Sequence, residues 1–174
     1  MKSQLLPSGL LSLVDRLTAL NRPATIVELR QWLADADVSR DDLTPFIRFN
    51  EICYVRNSIM ATEHFELLCI CWKSNQSSLI HDHVGSACGE RVIVGELSET
   101  IFDVIEDSLV RPRKVNRYVA GFVCSSVDKE VHQITNHQTD GRELITLHIY
   151  SPPLAAMKSY SIFQSVDLHE PVVH

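Results

Sequence analysis

The feature that most constrains the fold is a long series of short strand-like segments that begins near residue 52. These segments are separated by polar turn sequences, such as those at residues 73–78 and 136–141. Many short strands with no helix between them are typical of a sandwich or barrel, so the pattern predicts an antiparallel all-β core. The candidate strands are residues 52–56, 65–73, 79–83, 90–96, 99–105, 113–118, 121–126, 130–135, 143–150 and 160–164.

Residues 8–49 have a helical pattern instead. Leucines recur at steps of three and four in the first part of this region, which predicts an amphipathic helix. Thr25 and Glu28 form a capping-box signature at the start of a second helix, and residues 39–43 predict a third, short one. The chain is therefore expected to be mainly β, and α+β in the order of its elements, because the helices precede the strands. The helices are expected to cover one side or end of the sheet.

Length and composition predict an ordinary globular protein. A chain of 174 residues suits one domain over residues 1–174, with a helical part at 1–49 and a β-barrel at 50–165. Its net charge of −6 argues against a nucleic-acid partner, and its five cysteines fit no disulfide framework. No segment has the pattern of a signal peptide or of a membrane span. We therefore expect a cytoplasmic monomer with reduced thiols and no nucleic-acid or membrane partner.

Two histidines between strand-like segments are the first candidates for chemistry. His81 and His83 are two residues apart, so on an extended strand they share one face while Asp82 lies on the other. Two imidazoles that converge from one strand could bind a metal ion side by side. Many pairs of this kind are only surface histidines, so the spacing alone leaves both interpretations open.

The positions of the other histidines indicate which of them can face the interior. His132 and His137 are five apart, so at most one of them faces inward on an extended strand. His148 lies in the apolar segment 144–150, where it shares a face with Thr146 and Tyr150 and could equally be a buried core histidine. Three histidines are expected to be exposed to solvent: His64, His169 and His174.

These motifs, taken in order, resemble the cupin superfamily. Residues 81–95 resemble the first cupin motif, with Cys88 where many cupins have a glutamate ligand and Gly95 at its end. His132 and Asn136 resemble the end of the second motif, which supplies a third histidine. Within the superfamily this variant resembles the thiol dioxygenases, and most closely the cysteine dioxygenase family.

Three further motifs carry the same resemblance. Tyr54-Val55-Arg56-Asn57 is similar to the family's substrate segment. Thr146-x-His148-x-Tyr150 resembles its Ser-x-His-x-Tyr triad, and Ser151-Pro152-Pro153 resembles the segment that follows. The chain departs from the pattern by having Thr146 for serine, Asn75 for the usual glycine, and Val127 and Lys129 in place of Pro-x-Gly. Its C-terminal part looks shorter than in animal members, which suggests a bacterial-type homologue.

The resemblance implies a cupin barrel that binds one Fe(II) per chain. It also implies an oxidoreductase that adds both atoms of O2 to the sulfur of L-cysteine, which gives cysteine sulfinic acid. The implied metal ligands are His81, His83 and His132, the implied substrate-binding residues are Arg56 and Tyr54, and the implied catalytic residues are Tyr150, His148, Thr146 and Cys88. In animal members of the family the counterparts of Cys88 and Tyr150 are joined by a thioether, so the resemblance implies the same crosslink here.

Two other functions remain open. The substrate could be 3-mercaptopropionate, although related enzymes with that preference have a glutamine where this chain has Arg56. The protein could also be a cupin that binds metal without turnover, in which case neither the Tyr54/Arg56 segment nor the Thr146/His148/Tyr150 face would be needed.

Overall fold

The computed structural model describes residues 6–126 and 130–163. In these ranges the helices come first, as predicted, and none of them is long and apolar enough to cross a membrane. The helices are α1 (Ser8–Thr18), α2 (Ile26–Asp35) and α3 (Arg40–Leu43), followed by a 3-10 turn at Thr44–Phe46. The strands are β1 (Val55–Ala61), β2 (Glu66–Trp72), β3 (Ala87–Val94), β4 (Glu96–Glu106), β5 (Leu109–Val119), β6 (Val123–Ser126), β7 (His132–Thr135), β8 (Leu144–Ser151) and β9 (Ser161–Ile162).

The second helix begins where the capping box predicts and packs on the sheet. The Thr25 hydroxyl accepts a hydrogen bond from the Glu28 backbone, and the Glu28 carboxylate accepts one from the Thr25 backbone. Leu29 and Leu33 of α2 are fully buried. They lie against Gly89 of β3, where an added Cβ would come within 2.8 Å of the Leu33 side chain. The absence of a side chain at this position is what lets the helix lie so close to the strand.

The strands form two sheets. One has the order β1-β2-β8-β3-β6 and the other the order β7-β4-β5-β9, and the described pairings are antiparallel apart from that of β5 with β9. Alternate residues of β2 pack in different places: Leu67 and Cys69 join the cluster formed with the helices, whereas Leu68 and Ile70 join residues of the opposite sheet. The helices thus cover the outer face of the first sheet, and the space between the sheets is the interior. The predicted class, mainly β with N-terminal helices, is confirmed.

One predicted strand, residues 79–83, is wrong in a way that bears on the site. His81 forms only isolated bridges, one with His132 and one with Ser159. The chain then turns at Gly85, whose φ of +79° suits glycine, and the Ser86 N–H donates to the carbonyl of His83. The turn removes the segment from the ladder, so the two histidines do not project from one regular strand.

Smaller differences concern strand boundaries. The first strand begins at Val55 rather than residue 52 and continues to Ala61, and β3 begins at Ala87 rather than residue 90. Val127, Lys129, His169 and His174 lie outside the described residues.

Candidate metal centre

Three histidines converge in the interior between the two sheets. His81 and His83 approach from the segment before the Gly85 turn, and His132 is the first residue of β7. All three are buried, and one ligand atom from each lies within 4.8 Å of the others. The Nε2 atoms of His83 and His132 are 3.2 Å apart. His137 is exposed, which agrees with the expectation that at most one of His132 and His137 faces inward.

The far side of each ring is held by a hydrogen bond at Nδ1. His81 Nδ1 lies 2.8 Å from the carbonyl of Leu79, His83 Nδ1 lies 3.2 Å from Ser126 Oγ, and His132 Nδ1 lies 2.9 Å from Glu99 Oε1. A carbonyl and a carboxylate can only accept, so the rings of His81 and His132 carry their proton on Nδ1. Their Nε2 lone pairs are therefore free to bind a metal ion.

Burial keeps two of these rings uncharged. Burial, with smaller effects of the neighbouring groups, lowers the pKa of His81 to about 4 and that of His83 to about 2. At neutral pH the proton therefore does not compete for the Nε2 lone pairs of these two histidines.

The distance between two of the ring nitrogens fits two ligands on one transition-metal ion. Metal–nitrogen bonds are about 2.0–2.1 Å long, so two nitrogens on one ion at a right angle are about 3 Å apart. The 3.2 Å separation of His83 Nε2 and His132 Nε2 matches that value. Imidazole ligands suit iron, zinc, copper or nickel, and three of them leave positions open for other ligands.

Asp82 holds the segment between the first two histidines in place of a sheet ladder. Its carboxylate accepts hydrogen bonds from the Tyr160 hydroxyl at 2.7 Å and from the Lys158 backbone at 3.3 Å. His81 adds a reciprocal pair of 2.9 Å backbone hydrogen bonds with His132. Residues 158–160 and β7 therefore hold the segment that carries His81 and His83, although this segment is not part of a named strand.

The candidate substrate residues lie beside the histidines and line the same cavity. Tyr54 stacks on Trp72 with ring centroids 4.3 Å apart. The Arg56 guanidinium lies over the Tyr150 ring at 5.1 Å, and its Nη2 is 3.3 Å from Glu66 Oε2. Arg56 is thus oriented from two sides.

Thr146, His148 and Tyr150 share the inward face of β8. The indole N–H of Trp72 donates to Thr146 Oγ1 at 3.1 Å, and Thr146 Oγ1 is 2.8 Å from His148 Nε2. Thr146 Oγ1 therefore lies between the indole N–H of Trp72 and the imidazole of His148. His148 and Tyr150 meet as nearly parallel rings, with centroids 6.0 Å apart.

Cys88 and Tyr150 face one another across two strands. They are direct partners in the β3–β8 pairing, and both are buried. The Gly85 turn is what brings the chain back so that β3 can begin at Ala87. Cross-strand partners of this kind have Cβ atoms about 4.5–5.5 Å apart.

Sequence reasoning missed two buried acids, Glu90 and Glu99. Glu90 follows Cys88 by two residues on β3, lies 3.7 Å from His148 Nε2, and its Oε1 has no hydrogen-bond partner among the described residues. Burial, reinforced by the charge of Glu99, raises the pKa of Glu90 to about 8, so it is mainly uncharged at neutral pH. The period-two spacing from Cys88 is the signal that could have placed Glu90 inside.

Comparisons with known proteins agree with this arrangement. The family model described as cysteine dioxygenase type I matches residues 2–162. Cysteine dioxygenase type 1 of Danio rerio is 26% identical over 141 residues, which cover 78% of this chain and 69% of that protein. Cysteine dioxygenase type 1 of Rattus norvegicus is 30% identical over 112 residues, which cover 62% of this chain and 56% of that protein. The match to the rat protein thus spans little more than half of its length.

Solved structures confirm the predicted cupin fold. A conserved protein with a double-stranded β-helix domain from Klebsiella pneumoniae has a TM-score of 0.57 and 17% identity, over 72% of this chain and 93% of that one. A protein from Thermus thermophilus has a TM-score of 0.54 and 15% identity, over 67% of this chain and 99% of that one. The double-stranded β-helix is the cupin barrel.

The raised pKa of Glu90 predicts that the unfolding free energy of the protein depends on pH. With a pKa raised from 4.5 to about 8, the folded protein binds more protons than the unfolded chain between these values. The contribution of Glu90 to the unfolding free energy therefore falls as pH rises between these two pKa values, by up to about 1.4 kcal/mol per pH unit. Glu90→Gln cannot ionise, so we expect the variant to gain stability relative to the wild type over that range.

Urea unfolding of both proteins with a chelator present, at several pH values across this range, measures the difference. Titrating groups that do not interact with Glu90 act on both proteins alike and cancel in the comparison. A difference that does not change with pH would contradict an uncharged Glu90.

Proposed function

The chain belongs to the cysteine dioxygenase type I family, and from this membership and the three converging histidines we propose that it is an Fe(II)-dependent L-cysteine dioxygenase. In the proposed reaction both atoms of O2 are added to the sulfur, RSH + O2 → RSO2⁻ + H⁺, and the sulfur is oxidised at the expense of dioxygen. The observation that carries the proposal is the group of buried imidazoles beside Arg56 in one cavity.

His81, His83 and His132 would hold the iron. Bound Fe(II) would supply Lewis acidity that favours the thiolate form of the substrate, together with redox chemistry toward dioxygen. The three neutral imidazoles add no negative charge, so they leave the site with a net attraction for an anionic ligand. A soft thiolate at neutral pH suits such a site.

Arg56 would bind the carboxylate of the substrate. A guanidinium can hold a carboxylate through two charge-assisted hydrogen bonds, and the contact with Glu66 leaves other N–H groups of Arg56 available. Tyr54, stacked on Trp72, would form the adjoining wall of the pocket. This arrangement supports a substrate that carries both a thiol and a carboxylate.

Thr146, His148 and Tyr150 would orient the reacting groups. The Thr146 hydroxyl contacts the imidazole at Nε2, and Nδ1 of His148 has no hydrogen-bond partner among the described residues. His148 would use this nitrogen to orient the Tyr150 hydroxyl near the substrate or oxygen. A donor that is already placed in a dry site loses little energy to reorganisation during the reaction.

The proposal predicts about one iron per chain and cysteine-dependent oxygen uptake. Iron-loaded protein in an oxygen electrode, with cysteine sulfinic acid measured as product, tests both. We expect His132→Ala to lose iron binding and turnover, because it removes one of three ligands, whereas His137→Ala on the exposed side should keep both.

The same measurement separates the alternatives. Faster turnover of 3-mercaptopropionate than of cysteine would make that acid the substrate. Iron binding without oxygen uptake on either thiol would make the protein a metal-binding cupin, and an active His132→Ala variant would refute the ligand assignment.

Arg56→Gln is expected to weaken the binding of cysteine. A hydrogen bond to a charged group contributes roughly 1.5–3 kcal/mol, so the KM for cysteine should rise from about tenfold to more than a hundredfold. The KM for 3-mercaptopropionate should change less if that acid can be held by a neutral amide. Steady-state kinetics on both substrates measures the two changes.

Glu66→Gln is the matched control, because it breaks the same ion pair but keeps the guanidinium. It should retain more affinity for cysteine than Arg56→Gln does. Equal losses on the two substrates in the Arg56 variant would mean that Arg56 does not select between them.

We also propose a thioether between Cys88 and Tyr150. The bond would join the Cys88 sulfur to the ring carbon beside the Tyr150 hydroxyl, with loss of the thiol hydrogen and one ring hydrogen. Two electrons and two protons would pass to dioxygen, the oxidant of the proposed reaction. The direct pairing of the two residues across β3 and β8 supports the bond.

Incubation with iron, cysteine and air should therefore give a growing fraction of protein lighter by about two mass units. Intact-mass and peptide analysis detects this fraction, and neither Cys88→Ala nor Tyr150→Phe should give the crosslinked peptide. An unmodified Cys88 peptide after many turnovers would refute the crosslink but leave the dioxygenase proposal in place.

A further inference from the structure

Glu99 is a buried carboxylate directly behind one of the metal-binding histidines. It lies on β4, and its Oε1 is 2.9 Å from His132 Nδ1. The side chains of both residues are less than one-tenth exposed. A buried charge is costly unless it is paired and hydrogen-bonded, so the position of Glu99 needs a physical explanation.

The second carboxylate oxygen is held by β5. Glu99 Oε2 accepts hydrogen bonds from the Tyr118 hydroxyl and from Asn116 Nδ2, both at 3.2 Å. Asn116 is the direct cross-strand partner of Glu99, and Tyr118 lies two residues farther along the same face. The carboxylate therefore has donors on both oxygens and a fixed orientation toward His132.

The three histidines differ in what holds their Nδ1 atoms. His81 is held by a neutral backbone carbonyl and His83 by a neutral hydroxyl, whereas His132 is held by a carboxylate. A carboxylate on the outer nitrogen fixes the ring and makes the inner nitrogen a better metal ligand. The arrangement thus places one negative charge next to a group of otherwise neutral ligands.

We propose that Glu99 is a positioning residue of the metal centre, which orients His132 and supplies the negative charge that strengthens metal binding. This inference rests on the proposed metal-binding role of the three histidines. It deepens that role, because the proposed ligand set contains no carboxylate and Glu99 provides one through His132.

A purely structural role is the alternative. Glu99 connects β4 to β5 through Tyr118 and Asn116, so it could simply stabilise the sheet. Tyr118→Phe separates the two roles, because it removes one hydrogen bond to Oε2 but leaves the charge and the contact with His132. A structural Glu99 would affect folding without a specific effect on the metal.

The test is a Co²⁺ titration of metal-free protein at one pH, followed by absorption and by calorimetry. Removing an outer partner of a metal ligand typically weakens metal binding from about tenfold to a hundredfold, and we expect this loss for Glu99→Gln. Tyr118→Phe should lose less than about tenfold, the lower end of that range, because it keeps the carboxylate–histidine contact. The thermal stability of the metal-free variants is measured alongside.

Each outcome supports or overturns the proposed role of Glu99. Wild-type Co²⁺ affinity in Glu99→Gln would overturn the inference, and so would equal losses in Glu99→Gln and Tyr118→Phe. If Glu99→Gln does not fold, Glu99→Asp replaces it, since it draws the carboxylate back from His132; wild-type affinity in that variant would also overturn the inference. A wild-type protein that binds no Co²⁺, or a His132→Ala variant that binds it normally, would refute the metal centre itself.

Discussion

The antiparallel pairing of β8 with β2 on one side and β3 on the other is the interaction on which the rest of the structure depends. Every residue of β8 is buried, and alternate side chains face the helices or the interior between the sheets. The same register that packs Ile145 and Leu147 against the helical layer turns His148 and Tyr150 toward the histidine cluster. A slip of one residue would exchange the two faces, so the packing of the core also specifies the site.

The sequence predicts the fold well, because periodicity and turn residues are local signals. The predicted strand at residues 79–83 is wrong, because the turn at Gly85 overrides a pattern that is compatible with a strand. The expectation that His81 and His83 converge does not depend on that strand, since backbone hydrogen bonds to His132 and the contacts of Asp82 place them instead. These contacts join distant parts of the chain, and no local pattern reports them.

The supporting residues of the site were harder to predict than the candidate ligands. Histidines are candidate ligands by residue type, and the odd spacing of His132 and His137 allowed at most one of them to face inward. Glu99 lies in a strand whose alternation is ordinary, and its role appears only when β4 is placed between β5 and β7. An acid is usually expected at the surface, so only the register of the sheets shows that Glu99 points inward, whereas the spacing of Glu90 from Cys88 is a signal in the sequence.

The two buried acids show how one interior can hold a carboxyl group in two charge states. Burial acts to raise the pKa of Glu99, but hydrogen bonds from His132, Asn116 and Tyr118 bring it below its ordinary value. Glu90 has no comparable set of donors, so burial raises its pKa and it stays mainly uncharged. Both acids border a second cavity behind His132, but only Glu90 also lines the cavity that contains Arg56. With Glu90 uncharged, the formal charge that lines this cavity is the positive charge of Arg56, and the electrostatics of the pocket therefore favour an anion.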